Sequence, residues 1–258
     1  MTDAPPRLEL LRARDLGGLF GTSFTAYLRN FLPFMAIGAA VVIPVELVVS
    51  GIGLGQLTKD YSTSVTSGEQ IIFVAELYLV ISPLVTAMVV HALLAMADGQ
   101  KPRAGAAIVS GLEAFRPMFV AVLIAAAGVV LGLFLFILPG LWLFVRWAFV
   151  PQAVVLDGRR GVAALQRSAE LVAGSWWRVF GIALFTGIAA AIPALLISFP
   201  VDAWAKAADS QAISLVGQML ASVLVTPFQV LMLTLLYFDL LARHRLPSTV
   251  PPVQPPSA

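Results

Sequence analysis

Four polar side chains lie within apolar stretches of the sequence, and their types and spacing could do chemistry. Glu46, Glu76, Arg146 and Gln218 each lie about five residues from the predicted outer end of an apolar segment. At about 1.5 Å per residue, the three charged groups would lie roughly 7 to 9 Å below one membrane boundary. A lone charge at that depth costs about 2 to 3 kcal/mol or more, so we expect these residues to pair with one another.

This intramembrane layer has two interpretations. In the structural one, a buried Glu-Arg-Glu cluster fixes the packing of the helices. In the functional one, the layer is a polar vestibule for a substrate or a proton, which is the usual first hypothesis for charges inside a membrane. Opposite charges that neutralise each other need no ligand to explain them, and this favours the structural interpretation.

A second set of candidate residues is cationic and lies on predicted amphipathic helices. We predict that these residues contact lipid headgroups or a partner: Arg12, Arg14, Arg103, Arg159, Arg160 and Arg167. Each arginine near an anionic membrane surface would contribute about 1 kcal/mol of attraction. The alternative is that these charges only determine the topology of the chain.

Residues suited to catalysis or to binding a metal are scarce. The absence of cysteine excludes disulfides, thiolate metal sites and thiol catalysis. Ser168 has no histidine or second acid spaced to activate it, so we interpret it as a serine on a helix face. We therefore expect no enzyme activity, no metal site and no cofactor.

The composition identifies a membrane protein. The 258 residues are 59% hydrophobic and only 12% charged, about half the charged fraction of a soluble domain. No basic patch is dense enough for nucleic acid, so we expect no nucleic-acid partner. We predict an all-α, polytopic bundle in which lipid is the main solvent.

The elements that position these residues follow from apolar runs of the length needed to cross a bilayer. We predict six transmembrane helices, at about 31–52, 71–97, 117–138, 141–156, 176–199 and 213–241. Pro139-Gly140 would form a tight turn that joins the third and fourth helices as an antiparallel hairpin. Three amphipathic segments, at 7–30, 100–116 and 159–175, would lie in the headgroup plane. We predict a single membrane domain over 1–246 and a disordered proline-rich tail over 247–258.

The last amphipathic segment has a predicted apolar stripe of Val162, Leu165, Ala169 and Val172. With an offset of 149 residues, parts of the first and fifth spans align, which suggests three units of one interfacial helix and one hairpin. Thirteen lysines and arginines lie on one side of the predicted spans and two on the other. This asymmetry places both termini in the cytoplasm.

Residues 139–180 carry a resemblance to a known family. The pattern is Pro139-Gly140, Arg146, Pro151, Asp157, then Leu165, Ser168, Leu171, Gly174 and Trp177-Arg178. It resembles the membrane domain that accompanies some bacterial glycerophosphodiester phosphodiesterases, and the related YciC-type six-pass inner-membrane proteins. In that family the hydrolase chemistry belongs to a separate soluble barrel, which this chain has no room for. The resemblance therefore implies a membrane module in a bacterial inner membrane, without the phosphodiesterase activity.

Two functions remain open from the sequence. The first is a non-enzymatic module that organises anionic lipids at the cytoplasmic face, or a membrane protein partner or second copy of the chain, through the basic residues and small-residue helix faces. The second is a transporter or channel subunit for a lipid-like or small anionic solute, which would use the layer of Glu46, Glu76 and Arg146.

Overall fold

All regular structure in the described part of the chain is helical. The computed structural model describes residues 9–51 and 75–245. We number the helices α1 (Leu16–Arg29), α2 (Phe31–Gly51), α3 (Ser82–Ala97), α4 (Ala104–Leu135), α5 (Ile137–Arg146), α6 (Val150–Asp157), α7 (Val162–Val172), α8 (Trp176–Ala207) and α9 (Gln211–Arg245). A π-helical turn, Leu77–Ile81, leads directly into α3. The predicted tail and most of the predicted loop between the first two spans lie outside the described residues.

Six helical segments are long and apolar enough to cross a membrane, as predicted. They are Phe31–Val48, Leu77–Ala97, Ala104–Leu135, Ile137–Asp157, Trp176–Ala207 and Gln211–His244. Four of them are longer than predicted. The fifth includes residues 201–207, which we had assigned to a loop, so the connection between α8 and α9 is short.

The predicted interfacial helix at 100–116 is not a separate element. Residues from Ala104 onward belong to α4, a continuous helix of 32 residues in which Pro117 is internal. A proline removes one backbone hydrogen bond, yet neighbouring helices in a membrane bundle accommodate the resulting kink. The first and last of the three predicted units therefore have a short helix followed by two long ones. The middle unit has no separate short helix.

The third and fourth spans form the predicted hairpin, but its turn lies earlier in the chain. The helical path breaks at Phe136, whose backbone is extended (φ −160°, ψ 152°). Pro139 and Gly140 lie inside the first turn of α5, where a proline loses no hydrogen bond that the helix would otherwise make. The two backbones touch, since a Cβ on Gly132 would lie 3.0 Å from the Cα of Gly140.

The π-helical turn before α3 has a simple cause. Pro83 follows it immediately, and proline has no N–H to donate to the preceding turn. The Ser82 N–H instead bonds five residues back, to the Leu77 carbonyl. This wider turn brings the chain into α3, which is buried along most of its length.

Helix α1 packs lengthwise against the second half of α9. The backbone N–H of Arg14 donates to Asp239, and the Tyr27 hydroxyl donates to the Leu224 carbonyl at 2.7 Å, so the two helices are antiparallel. Burial raises the pKa of Tyr27 to about 12, which keeps this hydroxyl protonated as a donor. Phe20 contacts Phe228 between these two points, with ring centroids 5.9 Å apart.

Helix α7 has the predicted amphipathic character with one error in its stripe. Leu165, Ala169 and Val172 are buried as predicted, whereas Val162 is exposed. Val162 is the first residue of the helix, directly after the turn at Gly161, and its side chain does not reach the bundle. Ser168 is fully buried on the same packed face.

The close contact between α4 and α5 gives a test of the hairpin. A Cβ on Gly140 would lie 2.4 Å from the Cγ of Leu133 and 2.6 Å from its backbone nitrogen. We expect Gly140→Ala to lower the free energy of unfolding by about 1–3 kcal/mol, because the backbone cannot move aside.

The matched control is Gly187→Ala in α8, where no atom lies within 4 Å of the added methyl group. This variant should be neutral or stabilised by up to about 1 kcal/mol, as expected for alanine in a helix. Thermal unfolding in detergent measures both, and equal stability of the two variants would contradict the close contact.

Candidate functional site

Glu46 and Glu76 form a buried acidic pair, which is the first candidate site. Glu46 lies in α2 and Glu76 lies just before the π-helical turn, and their exposed fractions are 3% and 6%. The two carboxyl groups are near enough to repel each other electrostatically. Within the described part of the chain, the Oε1 atom of each has no hydrogen-bond partner. A buried polar atom without a partner is costly, so the pair is retained at the expense of stability.

Arg146 forms no ion pair with either carboxyl group, so the predicted Glu-Arg-Glu pairing is not seen in the described part of the chain. The guanidinium carbon of Arg146 lies 4.7 Å from the centroid of the Trp142 ring. Among the ion pairs of residues 9–48 and 75–244, none joins Arg146 to Glu46 or Glu76.

The depth was counted from a fourth span that starts at residue 141, whereas α5 starts at Ile137, so Arg146 lies four residues further from the start of the helix than predicted. That span breaks after Arg146, and the Ser168 hydroxyl bridges the break by donating to the Arg146 carbonyl and accepting from the Phe149 N–H. The Trp176 indole, at the first residue of α8, donates to the Trp142 carbonyl at 3.3 Å. Arg146 therefore lies beside the start of the fifth span, which we had assigned to the opposite membrane face.

Gln218 also has different partners from those predicted. Its side-chain amide donates to the Ser214 hydroxyl at 3.3 Å, and Ser214 donates to Asp202 at 2.6 Å. This polar chain joins α8 to α9 near their connection. In the part of the chain that the structure describes, neither Gln218 nor Arg146 is bonded to Glu46 or Glu76.

Asp239 is the centre of a second group that the sequence analysis missed. It is fully buried in α9, and its Oδ2 accepts from Arg178 at 2.9 Å and from Arg243 at 3.0 Å. Its Oδ1 accepts from the Arg14 backbone N–H at 2.6 Å. Both arginines also donate to the Arg14 carbonyl, at 2.5 and 2.8 Å. We name Arg14, Arg178, Asp239 and Arg243 the Asp239 cluster.

A third group, the Asp157 cluster, consists of Asp157, Arg167 and Tyr237. Asp157 Oδ2 accepts hydrogen bonds from the Arg167 side chain and from the Tyr237 hydroxyl, the latter at 2.9 Å. The hydrogen bond to Asp157 raises the pKa of Arg167, so its guanidinium remains charged. The cluster joins the end of α6 to α7 and α9. A cavity of about 280 Å³ beside it is lined by Arg167, Glu170, Leu171, Leu241 and His244.

These two clusters separate the six predicted headgroup contacts into two kinds. Arg14 and Arg167 are engaged within the protein. Arg12 is exposed and pairs with Glu9 at 3.7 Å. Arg103, Arg159 and Arg160 are exposed, and within the described part of the chain no carboxylate forms an ion pair with them.

A sequence signal for the missed clusters did exist. Asp157 and Asp239 each lie at the end of an apolar span, on the side of the chain where arginines are concentrated. Arg243 follows Asp239 by four residues, the spacing at which two side chains meet on a helix. An acid in that position predicts an ion pair with the neighbouring basic residues.

The Asp239 cluster predicts a specific loss of stability. Asp239→Asn should lower the free energy of unfolding by about 1–3 kcal/mol, because Arg178 and Arg243 lose their shared counter-ion. Unfolding in detergent, followed by circular dichroism, measures this change. The control is Glu170→Gln, whose ion pair with Arg167 is exposed and contributes about 0.5 kcal/mol or less. Equal effects of the two variants would show that the cluster is not stabilising.

Comparison with known proteins gives one result. No curated protein and no solved structure matches the chain. The model of a family described as a domain of unknown function (DUF7847) matches residues 72–240, about two thirds of the sequence. The matched range contains Glu76, Arg146, the Asp157 cluster and Asp239, whereas α1 and Glu46 lie before it. The chain therefore belongs to the DUF7847 family of domains of unknown function.

Proposed function

We propose that the protein is a non-enzymatic membrane module that organises anionic lipids, or a membrane protein partner, at the surface carrying Arg159 and Arg160. The observation that supports this proposal most is that both arginines are exposed and unpaired within the described part of the chain, while nearby cations are neutralised by Asp157 and Asp239. Cations without an internal counter-ion attract anions from outside. The charge would act most strongly on an anionic bilayer surface.

The backbone presents these two side chains in a defined turn between α6 and α7. Gly158 and Gly161 flank the pair, with φ of +64° and +52°, values that side-chain-bearing residues adopt at a cost. The Arg159 N–H donates to the Ala153 carbonyl at 3.2 Å, and the Arg160 carbonyl accepts from Ala163 at 3.1 Å. The backbone bonds hold the turn, which leaves both guanidinium groups available for an external anion.

The proposed setting is a bacterial inner membrane with both termini in the cytoplasm. In that orientation Arg103, Arg159 and Arg160 face the cytoplasmic leaflet, where positive charge is normally concentrated. The resemblance over residues 139–180 to the membrane domain of some glycerophosphodiester phosphodiesterases supports a module without catalysis of its own. Ser168 agrees with this role, since its hydroxyl is engaged by two backbone groups.

A protein partner or a second copy of the chain would bind on the apolar outer surface. Large side chains on α8, including Leu195, Leu196 and Phe199, are exposed there. In the membrane such a surface contacts either lipid tails or another helix. Association would depend on packing of small residues rather than on the hydrophobic effect.

The acidic pair favours a second candidate, a transporter or channel subunit. Two buried carboxyl groups with free oxygens are typical of ion and proton pathways within membranes. Without Arg146 beside them, Glu46 and Glu76 attract cations or protons rather than the small anionic solute considered from the sequence. The lipid-like solute of that hypothesis would need a different site.

The lipid proposal is tested by removing the exposed charge pair. The double variant Arg159→Gln/Arg160→Gln should bind phosphatidylglycerol roughly tenfold or more weakly, because two charges contribute about 2 kcal/mol in total. Lipid retained by the purified protein in nanodiscs of mixed composition measures the effect.

The matched control is Arg159→Lys/Arg160→Lys, which preserves the charge and should retain most of the preference for anionic lipid. The dependence on charge should weaken with added salt, because exposed charges are screened. Equal lipid retention in both double variants would count against the proposal.

The transport candidate has its own test in sealed proteoliposomes. If Glu46 and Glu76 conduct protons, an imposed pH gradient should dissipate through the wild-type protein and several-fold more slowly through Glu46→Gln/Glu76→Gln. An internal pH-sensitive dye measures the flux. Glu170→Gln, an exposed carboxylate far along the chain, is the control. Wild-type vesicles that hold the gradient as long as empty vesicles would eliminate a proton pathway.

A further inference from the structure

We infer that Arg146, held on Trp142 beside Trp176 and Trp177, binds the phosphate of one anionic phospholipid. This site is separate from the Arg159–Arg160 turn and does not depend on it. We name Trp142, Arg146, Trp176 and Trp177 the tryptophan-arginine site.

The first argument is the charge of Arg146. It is the last residue of α5, its side chain is half-buried, and in the described part of the chain it has no ion pair. A cation within a transmembrane bundle is costly unless an anion or water compensates it. Glu46 and Glu76, which could have supplied that anion, do not pair with it. An anion from outside the described residues can therefore compensate this charge.

The second argument is the geometry of the guanidinium group. Its central carbon lies 4.7 Å from the Trp142 ring centroid, a distance typical of a cation–π contact. A cation–π contact needs no hydrogen bond from the guanidinium, so its N–H groups remain available. Those N–H groups match two oxygens of a phosphate, which arginine binds in a bidentate manner.

The third argument is that the site is fixed in place. The Ser168 hydroxyl donates to the Arg146 carbonyl at 2.9 Å, and the Trp176 indole donates to the Trp142 carbonyl at 3.3 Å. Trp176 in turn stacks on Phe180, with ring centroids 5.2 Å apart. These two hydrogen bonds fix the α5 backbone to the neighbouring helices α7 and α8. A cation held in this way loses little conformational entropy when it binds a headgroup.

The fourth argument concerns which anion can reach the site. Trp142 and Trp177 have exposed fractions of 47% and 78%, and the Trp176 and Trp177 rings lie 4.7 Å apart. Trp176 and Trp177 begin the fifth span, a position typical of the level at which lipid headgroups and acyl chains meet, and the bond from Trp176 to the Trp142 carbonyl links Trp142 to that level. A phospholipid supplies both the phosphate for Arg146 and acyl chains for the indole rings. A soluble phosphate ion would bind Arg146 but would not contact the indole rings.

The test measures binding of a single lipid by the full-length protein. Phosphatidylglycerol is titrated into the detergent-solubilised protein, and the number of bound lipids is counted by native mass spectrometry. We expect one tightly bound phosphatidylglycerol and at least tenfold weaker binding of phosphatidylcholine. Arg146→Gln should weaken the tight binding at least tenfold, and Arg146→Lys by a smaller factor, because an ammonium group cannot bind phosphate in a bidentate manner.

The control is Arg159→Gln/Arg160→Gln, which should reduce weak binding of further lipids and leave the single tight lipid in place. Loss of the tight lipid in this variant, with retention in Arg146→Gln, would overturn the inference and support the proposed function alone. Equal affinities of wild-type protein for the two lipids would also overturn it.

Two further measurements keep the inference testable if Arg146→Gln does not fold. Tryptophan fluorescence of the wild-type protein should be quenched more strongly by phosphatidylglycerol with brominated acyl chains than by phosphatidylcholine with the same chains. Inorganic phosphate at millimolar concentration should not displace the lipid. Displacement by phosphate would show that the site binds a free anion rather than a lipid.

Discussion

The buried carboxylate of Asp239 is the interaction on which the arrangement of the last two helices and the N-terminal helix depends. A charge in an apolar bundle requires opposite charge and hydrogen bonds around it. Arg178 from α8 and Arg243 from α9 supply the charge, and the Arg14 backbone supplies a further donor. Three parts of the chain that are far apart in sequence therefore meet at Asp239. The antiparallel packing of α1 along α9 begins there and continues to Tyr27.

The contrast between Asp239 and the acidic pair separates structure from candidate function. Asp239 has a partner for each oxygen, and its burial is explained by those partners. Glu46 and Glu76 are almost as deeply buried, yet each has an oxygen that forms no hydrogen bond with the described residues. The first group stabilises the bundle, whereas the second costs stability. Residues that a protein retains at such a cost are the ones most often tied to activity.

Much of the architecture could be predicted from the sequence, because apolar runs of bilayer length specify spans directly. The errors occurred where tertiary contacts override a local signal. Pro139-Gly140 is a common turn dipeptide, but the first turn of a helix also accommodates proline, and the chain reverses at Phe136 instead. The predicted depth of Arg146 depends on a residue count from 141, whereas the helix begins at Ile137. Val162 matched the apolar period, although it lies at the helix end that does not face the bundle.

The lengths of α4, α8 and α9 have a consequence for the surrounding bilayer. At 32, 32 and 35 residues, and about 1.5 Å per residue, these rods are about 48 to 52 Å long, whereas the hydrocarbon core is about 30 Å thick. Even a steep inclination of about 40° leaves each rod longer than the core. Each rod has charged residues near one end, Glu113 and Arg116 in α4, Lys206 in α8 and Arg243 in α9, so the excess length projects into the headgroup layer.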